Sequence, residues 1–294
     1  MKKSLFEKVS NSLKHRFGRF YMSEKQWLGM HASHCLGYKV DLDNPKTFNE
    51  KLNWMKLYGR DPKYTIMADK YAAKKYVASI IGEEYIVPCL GVYNSFDEID
   101  FNKLPNQFVL KATHQSGVVI CKDKAKFDFE AARKKLEADM HRNYSSIHME
   151  WVYKDIPPRV IADTFLDDHT GTELRDYKIW CFNGEPKVIY LTNKGANVYE
   201  NFYDMDFNPL YIDHGFVRHN PEFQQPATFN VMRDLAKKLS AGIPFVRIDF
   251  FDVNGKVYFG ECTFYDWGGA HPFSTYEQDL EIGGWMKLPN KTRE

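Results

Sequence analysis

The stretch Arg247–Thr263, RIDFFDVNGKVYFGECT, decides the fold. It reads as a β-hairpin, because two alternating apolar strands flank Asn254-Gly255, the dipeptide best suited to a tight type I′ turn. Arg247 and Asp249 are two apart on the first strand and share a face. Glu261 and Thr263 do the same on the second. If the two faces coincide, two carboxylates, a hydroxyl and a guanidinium converge. A hard divalent cation such as Mg²⁺ takes oxygen ligands of this kind and usually shares them with substrate phosphates. The same residues can equally form a cross-strand Arg–Glu pair on a solvated sheet face, and the hairpin alone leaves both readings open.

Working outward, DYKIWCFNGEPKVIYLT (176–192) reads as a second hairpin turning on Asn183-Gly184. Upstream, YIVPCLGVY, QFVLKA, GVVICK and RVIADTFL carry strand signals. Helices are interspersed. Thr47 and Glu50 form a capping box ahead of Leu52, Met55 and Leu57. A helix is expected over Ala68 to Ile81, ended by Gly82. Asp128 caps DFEAARKKLEADM, and Met232, Leu235, Ala236 and Leu239 share one side of NVMRDLAKKLSAG. Strands paired through tight turns, with helices between, indicate an α+β fold with antiparallel sheets.

The 294 residues suffice for one large domain or two smaller ones. Lys plus Arg number 40 and Asp plus Glu 39, a net charge of +1, so no global field favours nucleic acid. The five cysteines are scattered and form no Cys-x-x-Cys pair. Neither a disulfide framework nor a zinc site is indicated, which fits a cytoplasmic setting. No apolar run approaches membrane-spanning length. The basic N-terminus places Leu5, Val9, Leu13 and Phe17 at four-residue spacing. We read it as a helix docked on its own domain, with a peripheral place at the inner membrane surface as the alternative.

Several residues can carry chemistry. Lys111, near the end of a strand and before the turn THQSG, suits a polyphosphate: its ammonium is a point charge and the turn's amides a cradle. A strand-end lysine can also merely snorkel. Lys70 falls in an expected helix. The strand RVIADTFLDD could present backbone to an adenine edge, with Phe165 and Leu166 against the ring. Asp204-Met205-Asp206 is either a metal–diphosphate pair or, more simply, a turn with two solvated aspartates.

The order of these pieces resembles the ATP-grasp fold. More closely, NPKTFNEKLNWMKLYGRDP, ADKY, FVLKATHQSG, the DYK-x3-FNGEPK hairpin, NFYDMDFN and PFVRIDFFDVNGKVYFGECTF look like the TupA-like ATP-grasp family of bacterial surface-polysaccharide biosynthesis, over about residues 45 to 275. The resemblance implies two α+β lobes with antiparallel sheets gripping a nucleotide, preceded by a helical region. On that basis we expect a helical N-terminal region at 1–60 and an ATP-grasp domain at 61–294, with a lid lobe at about 68–166 and a C-terminal catalytic lobe at about 167–294.

Residue by residue, the resemblance implies ATP and Mg²⁺ as cofactors. Lys70 and Lys111 match phosphate-binding lysines, and His114 to Gly117, including Ser116, match a loop over the triphosphate. Asp163, Thr164, Phe165 and Leu166 match the adenine hinge, and Asp176 and Lys178 match positions facing ribose and phosphates. Asp249 and Glu261 match metal ligands, with Thr263 where many relatives have Asn, and Arg247 matches an oxyanion-stabilising arginine. The loop HQSGV departs from the glycine-richer HGSGG frequent in relatives. After the hairpin, Asp266, Trp267, Gly268 and His271 in TFYDWGGAHPF are candidate substrate contacts. The implied activity is a carboxylate–amine ligase joining a uronic acid or amino acid to an amine for a capsule or cell-wall polymer. A nucleotide-sugar glycosyltransferase and a non-catalytic nucleotide binder are the alternatives.

Overall fold

The computed structural model describes residues 21–142, 145–169, 174–192, 199–218 and 223–291. The N-terminal Leu5–Phe17 pattern lies outside them. The chain divides into two compact units, one of Met1–Arg60, Ile212–Gly215 and Tyr265–Glu294, the other of Asp61–Tyr211 and Phe216–Phe264.

The first unit is helical where described. Helix α1, Glu24–Leu36, opens on a capping box between Ser23 and Gln26, and α2, Phe48–Tyr58, opens on the expected box between Thr47 and Glu50. Leu52 and Met55 are fully buried, but so are Asn49, Asn53 and Lys56, so α2 is enclosed on its polar side as well. That side contacts the turn Asp266–Gly269.

The second unit holds two antiparallel sheets. The four-stranded sheet has the order β1-β4-β2-β3, formed by β1 (Cys89–Tyr93), β2 (Phe108–Ala112), β3 (Val118–Cys121) and β4 (Val160–Thr164). One face packs Phe108, Leu110, Val160 and Ala162 against Ala132 and Leu136 of the helix Phe129–His141. Because side chains alternate along a strand, Val109, Lys111, Ile161 and Asp163 occupy the other face.

The six-stranded sheet has the order β10-β9-β5-β6-β7-β8, with β5 Asp176–Phe182, β6 Glu185–Thr192, β7 Glu200–Tyr203, β8 Pro209–Leu210, β9 Phe245–Val253 and β10 Lys256–Thr263. Both expected hairpins form, with positive φ at Asn183, Gly184, Asn254 and Gly255 as type I′ turns require. Ile179, Cys181, Ile248 and Phe250 lie on one face, beneath the helix Phe229–Ser240, whose Met232, Leu235, Ala236 and Leu239 are all buried.

One expected element is corrected. The helix read over Ala68–Ile81 is two helices, α3 (Lys63–Ala68) and α4 (Ala72–Ile81). Asp69 breaks them by accepting from the amides of Tyr71 and Ala72, while the Lys70 amide leaves helical bonding to donate to the Thr113 carbonyl. A side-chain acceptor one to three residues before a helix start competes with the backbone ladder in this way.

The decisive local feature is a bulge in β10. From the turn, Val253 pairs with Lys256 and Phe250 with Phe259; beyond Gly260 the register shifts by one, pairing Asp249 with Glu261 and Arg247 with Thr263. An unshifted register would set Glu261 against Ile248, on the core face. Gly260 is held to glycine by space: a Cβ there would lie 3.0 Å from the Asp249 carbonyl oxygen and 3.3 Å from the Phe251 ring. We expect Gly260→Val to lower unfolding free energy by about 1–3 kcal/mol through overpacking against backbone. Urea denaturation with matched m-values checks this; an unchanged midpoint would contradict the packing.

Candidate functional site: a cation–carboxylate array in the second unit

The bulge creates a row across four strands. Tyr190 on β6, Lys178 on β5, Asp249 on β9 and Glu261 on β10 stand opposite one another in turn, so all share the face away from the helix Phe229–Ser240. Arg247, two residues before Asp249, joins that face. Its Nε and one terminal nitrogen donate to the two Asp249 oxygens at 2.7 and 2.8 Å, the bidentate geometry in which arginine binds carboxylates best. The same terminal nitrogen reaches Glu261 at 3.3 Å, and the other lies 3.4 Å from the Tyr190 hydroxyl. Lys178 donates to Asp249 at 2.6 Å and lies 3.5 Å from Asp176. Lys70 Nζ reaches Glu261 at 2.5 Å. Thr263, opposite Arg247, is half-buried at the end of the row.

Lys70 owes its place to the helix break. Its amide is tied to Thr113, whose amide in turn donates to the Arg159 carbonyl. Arg159 pairs with Asp69 at 2.9 Å and lies over the Tyr71 ring at 5.0 Å. A polar latch thus holds the segment between α3 and α4 beside the end of β2.

On the four-stranded sheet, Asp163 is buried between two lysines, Lys74 at 3.0 Å and Lys111 at 3.2 Å. Lys74 also donates to the Val87 carbonyl at 2.7 Å. Thr164 ends β4, and Phe165 and Leu166 follow it, half-buried. In the turn after β2, His114 and Gln115 are buried and Ser116 is exposed. Gln115 donates to the Arg142 carbonyl at 2.8 Å, and a Cβ on Gly117 would run into the side chains of Lys135 and Asp139. This turn therefore packs closely against the helix Phe129–His141.

The charges act on one another. Burial opposes ionisation of Glu261, but Lys70, Arg247 and Lys178 more than reverse it and hold its carboxyl well below the usual range. Burial presses Lys178 towards neutrality, and Asp249 overcomes this, leaving its pKa raised. For Lys111, burial prevails over Asp163, helped by repulsion from Lys74 and Lys70, and its pKa is lowered. Lys70, Lys74, Lys111, Lys178 and Arg247 are set against Asp163, Asp176, Asp249 and Glu261, a formal excess of one positive charge.

The oxygen set fits a divalent cation shared with phosphate. Asp249 and Glu261 are adjacent in register, and Glu261 keeps 34% of its side chain exposed. Among the described residues no cluster of three or more His, Cys, Asp or Glu forms a self-sufficient metal cage, so a cation here would draw further ligands from a bound phosphate.

The residues read as substrate contacts lie in the first unit. Trp267 (φ 48°, ψ 29°), Gly268 (φ 63°, ψ 17°) and Gly269 (φ 55°) form three consecutive left-handed residues. Such a conformation costs a bulky residue roughly 1–3 kcal/mol and persists only where surrounding bonds impose it. Trp267 is 44% exposed and stacks on His271 with centroids 4.9 Å apart and planes at 28°. Asp266 is buried.

Sequence reasoning missed several members. Lys74 was detectable as the residue four after Lys70. Asn49, Asn53 and Lys56 recur at helical spacing along α2, a polar stripe that is buried together with the apolar Leu52 and Met55. Asp204 proves to be a turn residue: its carboxylate accepts from the amides of Asp206 and Asn208 and from the Asn208 side chain. The five cysteines are free, and among the described residues no helix is long and apolar enough to cross a membrane.

The depressed Glu261 carboxyl has a pH consequence. Its contribution to stability is present above the unfolded-state value of 4.5 and is lost as pH falls towards the folded-state value. We expect the gap in urea midpoint between the wild type and Glu261→Gln to be widest near neutrality and to shrink below about pH 4.5. A gap constant from neutral to acid pH would contradict the array's electrostatics.

The TupA-like ATPgrasp family matches residues 50–287. No curated protein matches the chain. Among solved structures, D-alanine–D-alanine ligase from Bacillus anthracis, complexed with ATP, is 16% identical, with 68% of this chain and 55% of that one covered and a TM-score of 0.41. The Helicobacter pylori D-alanine–D-alanine ligase gives 14%, 76%, 60% and 0.43 for the same quantities. Phosphoribosylamine–glycine ligase from Thermotoga maritima gives 15%, 74%, 51% and 0.42. The chain thus spans between half and three-fifths of the length of these structures. With the ordered motifs, the two antiparallel sheets and a family match over most of its length, this chain belongs to the TupA-like ATP-grasp family.

Proposed function

We propose that this chain is a cytoplasmic ATP-dependent carboxylate–amine ligase that forms an amide for a capsule or cell-wall polymer. The observation that carries the reading is the row Lys178–Asp249–Glu261, bracketed by Arg247 and Lys70, within one compact unit that also holds Lys111 and Asp163. A triphosphate carries several negative charges, and the array's own excess is a single positive one. Divalent metal neutralisation is therefore part of the reading.

In this account Lys70 and Lys111 hold the phosphates and His114, Ser116 and Gly117 line them. Asp163, Thr164, Phe165 and Leu166 border the adenine, and Asp176 and Lys178 face the ribose and phosphates. Asp249, Glu261 and Thr263 would hold Mg²⁺, which when bound neutralises the phosphates. A substrate carboxylate oxygen attacks the γ-phosphorus, the bond to the bridging oxygen breaks, and ADP leaves. The amine nitrogen then attacks the acyl carbon, the carbon–oxygen bond to phosphate breaks with its electron pair leaving on phosphate, and the nitrogen's proton passes to the departing phosphate or to solvent. Arg247, held rigidly by Asp249, is the preorganised donor to the developing oxyanion. Asp266, Trp267, Gly268 and His271 contact the acceptor, for which a uronic acid supplies a suitable carboxylate and an amino acid a suitable amine.

Mg²⁺–ATP at about 100 times its Kd is expected to raise the melting temperature by roughly 5–10 °C. Lys111→Met should weaken nucleotide binding by about tenfold or more, corresponding to ~1.4 kcal/mol. With Mg²⁺, a uronate-bearing acceptor and an amino-acid pool, the wild type should release ADP. Glu261→Gln should remain folded and release none. Absence of ADP release with every pair, or undiminished release by Glu261→Gln, would overturn the ligase reading.

A further inference from the structure

We propose that Lys74 is a positioning residue for Lys111, acting through Asp163: it keeps that buried carboxylate paired and so leaves the Lys111 ammonium available to a nucleotide phosphate. The inference rests on the reading of Lys111 as a phosphate-binding lysine, and it gives Asp163 a part beyond bordering the adenine.

The three side chains come from three elements of the second unit. Asp163 stands on β4 opposite Val109 of β2 and Cys89 of β1. Lys111 sits two positions along β2 from Val109, within diagonal reach of Asp163 on the same face. Lys74 arrives from α4. Asp163 divides its oxygens between the two lysines: Oδ2 accepts from Lys111 Nζ at 3.2 Å, and Oδ1 lies 3.0 Å from Lys74 Nζ. Oδ1 is buried and receives no aligned hydrogen bond among the described residues, so Lys74 holds it by charge.

The two lysines are tethered unequally. Lys74 Nζ also donates to the Val87 carbonyl at 2.7 Å, which fixes it on the segment leading into β1. Among the described residues, Lys111 Nζ has Asp163 as its one hydrogen-bond partner. An ammonium carries three donors, so two remain for a ligand. Were Asp163 paired to Lys111 alone, the approach of Lys111 to a phosphate would leave a buried carboxylate uncompensated and facing an anion, which is strongly unfavourable. Lys74 removes that conflict. With it the trio carries one net positive charge; without it the trio is neutral. The charged groups around Lys111 act in opposed senses. Burial lowers its pKa, Asp163 resists this, and Lys74 and Lys70 add to the lowering. The nearby Cys89 thiol is pushed up by burial and stays uncharged to about pH 9.

The test measures the Mg²⁺–ATP affinity of the full-length chain by calorimetry, as a double-mutant cycle. Lys74→Met should raise Kd about tenfold or more, and Lys74→Arg should bind within about threefold of wild type. In an Asp163→Asn background, Lys74→Met should move Kd by less than about threefold, because the group through which Lys74 acts is gone. Between about pH 7.5 and 9 the two single variants should shift in opposite senses. Asp163→Asn withdraws support from the Lys111 charge, so affinity should begin to fall at lower pH than in wild type. Lys74→Met removes a repelling charge, so its affinity, though weaker, should hold to higher pH. If Lys74→Met does not fold, Lys74→Gln takes its place with the same expectations. Equal losses from Lys74→Met in both backgrounds, or unshifted pH profiles in both variants, would overturn the proposal and leave Lys111 on the phosphate. No Mg²⁺–ATP binding by the wild type would instead overturn the phosphate reading itself, and this proposal with it.

Discussion

The extra residue in β10 is the constraint on which the second unit's chemistry depends. Side chains on a strand alternate between two faces, so one inserted residue changes which face everything beyond it occupies. Gly260 is that residue. Before it, Val257 and Phe259 point into the core; after it, Cys262 and Phe264 do. Glu261 and Thr263 are thereby delivered to the face that β9 gives to Arg247 and Asp249, and the row extends through Lys178 to Tyr190. Bulges concentrate beside active sites because they re-aim side chains without disturbing the rest of a sheet.

The charges so assembled are a poor investment in stability. Removing paired ions from water costs about as much as their attraction returns, and apolar replacements are often as stable. Asp163 and Asp249 are each 3% exposed and each pair with two cations. Such spending is understandable where the groups must later meet a ligand that is itself highly charged. The Asp69–Arg159 pair and the Lys70–Thr113 bond fix the backbone from which Lys70 reaches Glu261.

Much of this was legible in the sequence. Both Asn-Gly hairpins, the Thr47–Glu50 box and the Asp128 cap form as read, because each depends on contacts within a few residues. The convergence of Arg247, Asp249 and Glu261 was legible only as a condition. Its sign lay in the apolar spacing of β10, where Phe259 and Cys262 are three apart rather than two, with a glycine between them. The break at Asp69 escaped because a helix-compatible run was interrupted by a bond to Thr113, over forty positions away in the chain. The stripe of Asn49, Asn53 and Lys56 escaped for a related reason: its partners, the carbonyls of 268, 269 and 271, have no side-chain signature.

We propose that the shifted face of the six-stranded sheet is where metal and phosphate meet. A crystal structure with a non-hydrolysable ATP analogue and Mn²⁺ tests it most directly, through the anomalous signal of the metal. A Mn²⁺ peak is expected within coordination distance of Asp249 and Glu261, bridged to phosphates that Lys70 and Lys111 contact. A nucleotide bound away from these residues, or a metal that leaves Glu261 paired to Lys70, would contradict it.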